Sequence, residues 1–445
     1  MKIAKWVAGV LIGLAAVAAL AVAVLTLLID PNRFRGQIEA AVRDATGRPF
    51  RIQSDLEITW FPWLAVKTGQ AELDNPPGVS DTPLAQWETA RVGVRLMPLL
   101  HGELMVDRIM LDGLKVALKR DANGRTNWED LLAQKPSGGG SGLRIAGLEI
   151  RKGALDYLDE RAETHLRLSG WNLDVGSWGT DEPMPVETRF RLEKFAADGA
   201  APNSVELDLR STIRLAPKKD RVELRDTEVE GTARAPALPG VGVPFAIQLP
   251  QVQVAFEPLE LTVPDWHIKI AEAQLAGSLT ARKQSDSLDA KGPLSVRIPS
   301  VRKFLGALGI DAPLPKDSSA FGPLTLKTSW ALAAGALSLD SIALRWDETS
   351  FTGALARSAA TEPTWTFDLH GDRIDLGRYL VTEDNSPEPF ELPVKALKSL
   401  RAQGTLWFDR ARLADAELKN ARLRVLMAEG RVQTDSPAAT RGKRP

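Results

Sequence analysis

Between about residues 50 and 430 apolar and polar side chains alternate, and this period of two constrains the fold more than any other feature of the chain. In one stretch Val205, Leu207, Leu209, Ile213 and Leu215 alternate with Glu206, Asp208, Arg210, Thr212 and Arg214. Successive side chains of an extended strand point to opposite faces, so the stretch carries one apolar and one charged face. Val252, Val254 and Phe256 repeat the pattern, Pro258 turns the chain, and Leu259, Leu261 and Val263 restart in the opposite phase. Pro264 reads as a further turn before Trp266, Ile268 and Ile270, and Trp365, Phe367 and Leu369 follow later. Alternating strands joined by short turns predict antiparallel sheet with one wet face. Helical patterns are few. Residues 31–47 recur at a spacing of four (Phe34, Ile38, Val42), with Asp30 as cap and Gly47 as stop; 127–134 would be capped by Asn127; 300–309 and 373–380 complete the set.

Gly102-x-Leu104-x-Val106-Asp107-x-Ile109-x-Leu111 recurs at the same spacing from Gly335 to Leu344 and from Gly404 to Leu413. The three-residue step at Asp107, Asp340 and Asp409 breaks the alternation. It predicts a bulge or tight turn that re-aims the next apolar stretch to the original face. Two architectures satisfy such strands. A β-sandwich buries the apolar faces of two sheets against each other. A single curved sheet leaves one apolar face as an open groove. A sandwich of more than 350 residues would split into several domains, yet only 135–142 (KPSGGGSG) reads as a strong linker, which tilts the balance towards one sheet.

From Val7 to Ile29 no charge interrupts a run that includes Val7, Leu14, Leu20 and Leu28. These 23 residues rise about 35 Å as a helix, enough to span a hydrocarbon core of about 30 Å. A cleaved signal peptide would end near Ala23, but the apolar run continues for six more residues, which fits an uncleaved anchor. Lys2 and Lys5 precede the run, whereas Arg33, Arg35, Arg43 and Arg48 follow it, so charge counting does not set the orientation. The polar, basic tail 433–445 reads as disordered.

Composition removes whole classes of chemistry. With 56 Lys+Arg against 57 Asp+Glu there is no basic excess for nucleic acid, and with no cysteine there is no thiol nucleophile, disulfide or thiolate metal site. His165, His267 and His370 fall on the charged phase of their strands and His101 in a turn, so all four read as solvated. Asp156, Asp159 and Glu160 read as a hairpin turn rather than a carboxylate pair. The Trp60–Trp63 segment reads as core packing, because Trp60 falls in phase with Leu56 and Ile58. No catalytic residue, metal or cofactor is expected.

The apolar run followed by DPNRFRGQIEAAVRDATGRPFRI, ITWFPWLAVKTGQAELDNPPG and VRLMPLLHGELMVDRIMLDGLKVALKRDANGRTNWEDL resembles the N-terminal region of the AsmA family of Gram-negative bacteria. The resemblance continues through LSLDSIALRWDETSFTGAL, RIDLGRYL and LRAQGTLWFDRARLADAELKNARLRV. It implies a single-pass inner-membrane protein, N-terminus cytoplasmic and body periplasmic, that takes part in phospholipid transport and outer-membrane assembly. Family members commonly continue beyond the region matching 418–432, so the chain reads as a short member. The expected organisation is a stub and anchor (1–29), an AsmA-like module (30–134), the linker (135–142), an elongated, antiparallel, curved repeating β-groove (143–432) and the tail (433–445). The expected groove lining is Val205, Leu207, Leu209, Ile213, Leu215, Val252, Val254, Phe256, Ile268 and Ile270, facing phospholipid acyl chains. The inner membrane and envelope assembly proteins are the other expected partners, and nucleic acid is not. A scaffold that influences targeting or insertion of outer-membrane proteins without carrying lipid is the alternative.

Overall fold

The computed structural model describes residues 31–59, 65–76, 78, 82–94, 106–133, 147–177, 182–196, 199–216, 220–284, 287–312, 315, 317–360, 364–379, 401–413, 416–428 and 431–441. The expected anchor, the Trp60–Trp63 segment, His101 and the linker 135–142 lie outside them. Among the described residues no helix is long and apolar enough to cross a membrane. The chain divides into two units, 1–208 and 209–445, and the divide falls within a strand rather than at 135–142.

The first unit opens with a 3-10 turn, Pro31–Phe34, that runs into helix α1, Arg35–Thr46. Gly47, at φ 69°, ends it as expected. Short strands follow: β1 (Phe50–Ile52), β2 (Glu57–Thr59), β3 (Ala65–Thr68), β4 (Ala71–Leu73), β5 (Ala85–Trp87), β6 (Thr89–Val94), β7 (Val106–Asp112) and β8 (Lys115–Arg120). After helix α2 (Glu129–Ala133) come longer strands, β9 (Gly147–Asp159), β10 (Thr164–Val175) and β11 (Pro183–Phe195). The apolar side chains of β1 and its neighbours close a small core of Phe50, Ile52, Leu56 and Ala71, against which Ile38 and Val42 of α1 pack. Arg35 ties the helix to the sheet by donating to the Ser54 carbonyl at 2.7 Å, and Glu39 accepts the Ile52 N–H at 2.8 Å. Arg48 is fully buried and donates to Asp130 at 2.5 Å.

Two expectations change in this unit. Asn127 does not cap α2: it is fully buried, donates to Asn75 and to the Ala117 carbonyl, and accepts the Lys119 N–H, all at 2.8 Å. The Thr126 hydroxyl instead accepts the Glu129 N–H. The ladders are also not purely antiparallel, because β7 and β8 both run parallel to β9. Gly113, at φ 65°, separates β7 from β8 and lets the two lie along successive halves of the 13-residue β9. The hairpin at Asp156–Glu160 is as read: the Asp159 carboxylate accepts the Ala162 N–H at 2.9 Å and the Tyr157 hydroxyl at 3.1 Å.

Strand β12 (Asn203–Ala216) carries the divide after Asp208. The second unit continues with β13 (Arg221–Arg234), β14 (Val243–Phe256), β15 (Leu259–Ile270), β16 (Ala273–Gln284) and β17 (Ser287–Ile298). Helix α3 (Val301–Ala307) follows, its first turn capped by the Ser300 hydroxyl. Then come β18 (Leu324–Ala333), β19 (Ala336–Trp346), β20 (Thr349–Arg357), β21 (Thr364–Asp375), β22 (Arg401–Leu413), β23 (Ala416–Ala428) and β24 (Arg431–Arg441). From β13 to β21 each strand pairs antiparallel with the next, and so do β22, β23 and β24, but β21 and β22 run parallel. Residues 373–380 are not a helix: strand continues to Asp375 and a 3-10 turn covers Leu376–Tyr379. The tail read as disordered from Gln433 instead pairs with β23 up to Arg441.

Bulges appear where the repeated motif places them in two of its three copies. Leu339 pairs with Leu355 but Ile342 with Gly353, so Asp340 and Ser341 together oppose one residue, and Ser341 sits at φ 56°. Thr328 on the neighbouring strand donates its hydroxyl to the Asp340 carbonyl at 2.9 Å, restoring a bond the bulge removes from the ladder. The first copy shows the same slip between Val106 and Ile109 against β6. In the third copy the register passes evenly through Asp409, and the left-handed residue is Asn420 across the ladder, at φ 53°. Pro264 is likewise part of a bulge between Val263 and Trp266 within β15, and not a turn.

Candidate apolar binding face

The ladder registers line up the apolar phases of successive strands. In the second unit Val229 pairs with Ile247, Ile247 with Ile268, Ile268 with Leu275, Leu275 with Val296, Val296 with Leu326, Leu326 with Leu344, and Leu344 with Phe351. The row runs on through Gly371 and Phe408 to Ala421, crossing eleven strands. A second row joins Val222, Val254, Leu261, Ala281, Ala290, Leu332 and Leu337. In the first unit a shorter row joins Ile58, Val66, Val92, Ile109, Leu148, Val175 and Val186.

Burial distinguishes an open face from a core. Side chains between two packed sheets are nearly inaccessible, since interiors are close-packed. Val229, Ile247, Ile268, Leu275, Val296, Leu326, Leu344 and Phe351 are all only half-buried. Cross-strand neighbours cover their flanks, while their ends remain accessible. Among the described residues of the second unit the face is therefore a single-layer apolar surface.

Glycines shape that surface. Trp266 lies over Gly277, Phe367 over Gly404 and Phe408 over Gly371, and a Cβ at these glycines would fall 2.5–2.8 Å from a ring carbon. Each large ring can lie flat because its cross-strand neighbour has no side chain. Trp171 over Gly153 repeats the device in the first unit.

The residues expected to line a groove are distributed as follows. Ile268 and Ile270 are half-buried, paired with Ile247 and Phe245, and Val254 pairs with Leu261. Val252 is buried, and Phe256 is 52% exposed beside the Pro258 turn. Val205, Leu207, Leu209 and Ile213 are half-buried along β12 and Leu215 is exposed. Val7, Leu14, Leu20 and Leu28 fall outside the described residues. Leu275, Val296, Leu326, Leu344, Phe351 and Phe408 join the face although they were not among the residues expected to line it. The signal was present in Leu288, Ala290, Leu294, Val296 and Ile298, and in Leu324, Leu326, Trp330 and Leu332.

A polar and aromatic cluster closes one end of the face. Phe321, Trp346 and Tyr379 stand 5.7–5.9 Å apart between ring centroids. The Tyr379 hydroxyl donates to Asp347 at 2.9 Å, and burial together with that carboxylate pushes its pKa up to about 12. Asp347 also accepts the Phe321 and Gly322 N–H groups. Asp317 accepts from the Ser319 hydroxyl and N–H and from Arg378, which brings its pKa down to about 2. These carboxylates hold turns in place. Among the described residues no three His, Asp or Glu side chains gather where they could hold a metal ion. His165 stacks on Phe195 and His370 on Trp407, each beside an aspartate on the charged phase.

Bulged strands and aligned apolar rows that no second layer covers among the described residues define an extended-sheet protein with an apolar face. A sequence model of the AsmA family matches residues 1–405, and the chain belongs to that family. Protein AsmA of Escherichia coli (strain K12) is 33% identical to it over 96 residues, which is 21% of this chain and 15% of that protein. The match thus spans well under two thirds of that relative. No solved structure matches the chain. Family membership and the mainly β fold with few helices are consistent with an envelope-associated protein.

Proposed function

We propose that this is an inner-membrane-anchored periplasmic protein that supports outer-membrane assembly by shielding phospholipid acyl chains along its apolar face. The observation that carries the reading is the eleven-strand row in the second unit, whose aliphatic and aromatic side chains from Val229 to Phe351 are half-buried and which no second layer covers among the described residues. An acyl chain gains about 0.8 kcal/mol per CH₂ on leaving water, so two chains of roughly sixteen carbons would cost on the order of 25 kcal/mol bare in solvent. A continuous apolar row lowers that cost along its whole length. Hydrophobic contact is non-directional, so chains can slide past Ile268, Leu275 and Val296 without a specific site. The 23-residue run from Val7 to Ile29 supplies the anchor in this reading, and family membership supports the envelope location. No covalent step is involved and no residue is assigned a catalytic role.

Photo-crosslinking from Ile268, Leu275 and Leu326 in cells tests the reading. Lipid adducts are expected at these positions and not at the outward Lys269 or Arg297. Protein adducts alone would replace it with a scaffold that acts on outer-membrane proteins. Ile268→Asp with Leu326→Asp is expected to abolish envelope integrity while the purified chain keeps its β circular dichroism.

A further inference from the structure

The irregular pairs of the second unit fall on one line. Asp226 stands opposite Pro250, between the pairs Arg225–Gln251 and Thr227–Leu249. Pro250 is level with Asp265, because five residues separate the flanking pairs on both β14 and β15. Pro264 and Asp265 together oppose Ser278, Ser278 is level with Pro293, Pro293 pairs with Ser329, and Ser329 with Asp340. Asp340 and Ser341 then oppose Ala354, so the line crosses eight strands, β13 to β20. Three prolines sit on it, in β14, β15 and β17, and the other proline in these strands, Pro244, is next to a strand start.

The line is poor in ladder bonds. Proline donates none, and inside a sheet it is confined to places where the ladder is already broken. Among the described residues Leu249 to Val252 have no partner on β15, and Ser278 and Leu279 have none on β17. Asp226 and Ser341 are left-handed, at φ 50° and 56°. A Cβ at Gly277 would stand 2.3 Å from the Pro293 carbonyl oxygen and one at Gly292 1.9 Å from that of Ser278, so only glycine lets these backbones pass. Pro250, Pro264, Asp265, Pro293 and Asp340 are exposed, while Thr227, Val252, Val263, Thr328 and Ile342 on the other face are only 6–8% exposed. A floor more buried than its flanks places the apolar face on the inside of the bend. Its two long rows are then the walls of a valley, six or seven residues apart along each strand (Ala290 and Val296, Ile247 and Val254), or about 20 Å.

We propose that the line from Asp226 to Ala354 is a hinge about which the two apolar rows swing together and apart, so that the valley fits occupants of different girth. A single bulge bends only its own strand, whereas irregularities aligned over eight strands give an axis. The swing breaks few bonds because the rungs it would strain are already missing. Torsional change at a few residues is enough to turn stiff segments on either side, as at other hinges. Among the described residues no second layer props the rows apart. What fills the valley rests on the acyl-chain reading, and the axis does not.

The chain has no cysteine, so introduced cysteines carry spin labels at chosen sites only. Pro244→Cys with Glu257→Cys places one label beyond each wall of β14, with arms of about 20 Å to the line, so a swing of roughly 30° moves them by about 5 Å. Lys269→Cys with Arg345→Cys places both on one wall, four strand spacings or about 19 Å apart, as the control. Electron–electron distance measurements on the full chain in maltoside micelles compare a single-chain lysolipid with a four-chain cardiolipin. The wall-to-wall distribution should be at least twice as broad as the control and shift outwards by about 5 Å with the four-chain lipid. Pro250→Val, Pro264→Val and Pro293→Val combined, which return three N–H donors, should narrow it at least twofold. Pro293→Val alone, which disturbs the fold less, should narrow it by about a third. A wall-to-wall distribution as narrow as the control with both lipids would overturn the hinge and leave the apolar face as a fixed trough. A broad distribution that neither valine variant narrows would overturn the proline line as its axis. A distribution that the variants narrow but neither lipid shifts would uphold the axis and overturn the acyl-chain reading.

Discussion

The same alternation of residues produces a closed core in the first unit and an open face in the second. Near the start of the chain, strands of three or four residues surround Phe50, Ile52, Leu56 and Ala71, and α1 covers them with Ile38 and Val42. In the second unit, strands of nine to fourteen residues carry their apolar rows with no covering element among the described residues, and the large side chains stay half-buried. Periodicity therefore fixes which residues share a face, while what lies above the face decides whether it is a core.

The strongest way to break this comparison is to truncate one leucine on each side of it. Leu56→Ala should destabilise by about 3 kcal/mol, because a buried side chain leaves a cavity, whereas Leu326→Ala should cost about 1 kcal/mol from lost cross-strand contact. Urea unfolding followed by hydrogen exchange in each unit measures both, and equal costs would mean that the second face is packed. Asn127→Ala strikes the closed unit through its polar bonds. It should cost about 2 kcal/mol, since the buried Asn75 amide and two backbone groups lose their partner. Asn127→Asp should restore only the Lys119 bond.

In the open unit the backbone approaches closely at Gly353, where φ is 144° and a Cβ would stand 2.0 Å from the Asp368 carbonyl oxygen. Gly353→Ala should cost about 1.5 kcal/mol by forcing β20 and β21 apart. Protection should be lost at their amides and not in the first unit. The smallest effect is electrostatic. Asp317 has its pKa lowered from 3.8 to about 2 in the folded chain, so its contribution is fully present above pH 4 and is lost as the pH falls through 2. The second unit should lose melting temperature between pH 4 and 2, and Asp317→Asn should flatten that slope.

Much of this was legible in the residues, and the failures have physical causes. The Asp340 step announced a bulge because alternation resumed one residue late, and the ladder slips there. Val252, Val254, Ile268 and Ile270 stood out because branched residues interrupt nothing. Leu275, Val296 and Leu326 did not, because Gly277, Gly292 and Thr328 occupy apolar-phase positions beside them and dilute the pattern. Strand direction was not legible, since a period of two is the same read towards either neighbour. The parallel pairs β7–β9, β8–β9 and β21–β22 were missed for that reason. Asn127 was misread because helix capping and burial in a polar knot use the same side chain, and only tertiary contact separates them.

The bulge at Asp340 and Ser341 also sets where the chain tolerates a change of length. Removing one residue anywhere in a regular strand turns the rest of that strand inside out. Removing Ser341 would instead erase the bulge and leave β19 in plain alternation, with Leu337, Leu339, Ile342 and Leu344 still on the apolar side. An extra residue in the turn between Ala333 and Ala336 would leave both faces intact. Indels along this sheet are therefore graded by phase rather than by burial, and related chains should lengthen at strand ends and, within strands, gain or lose single residues only at bulges.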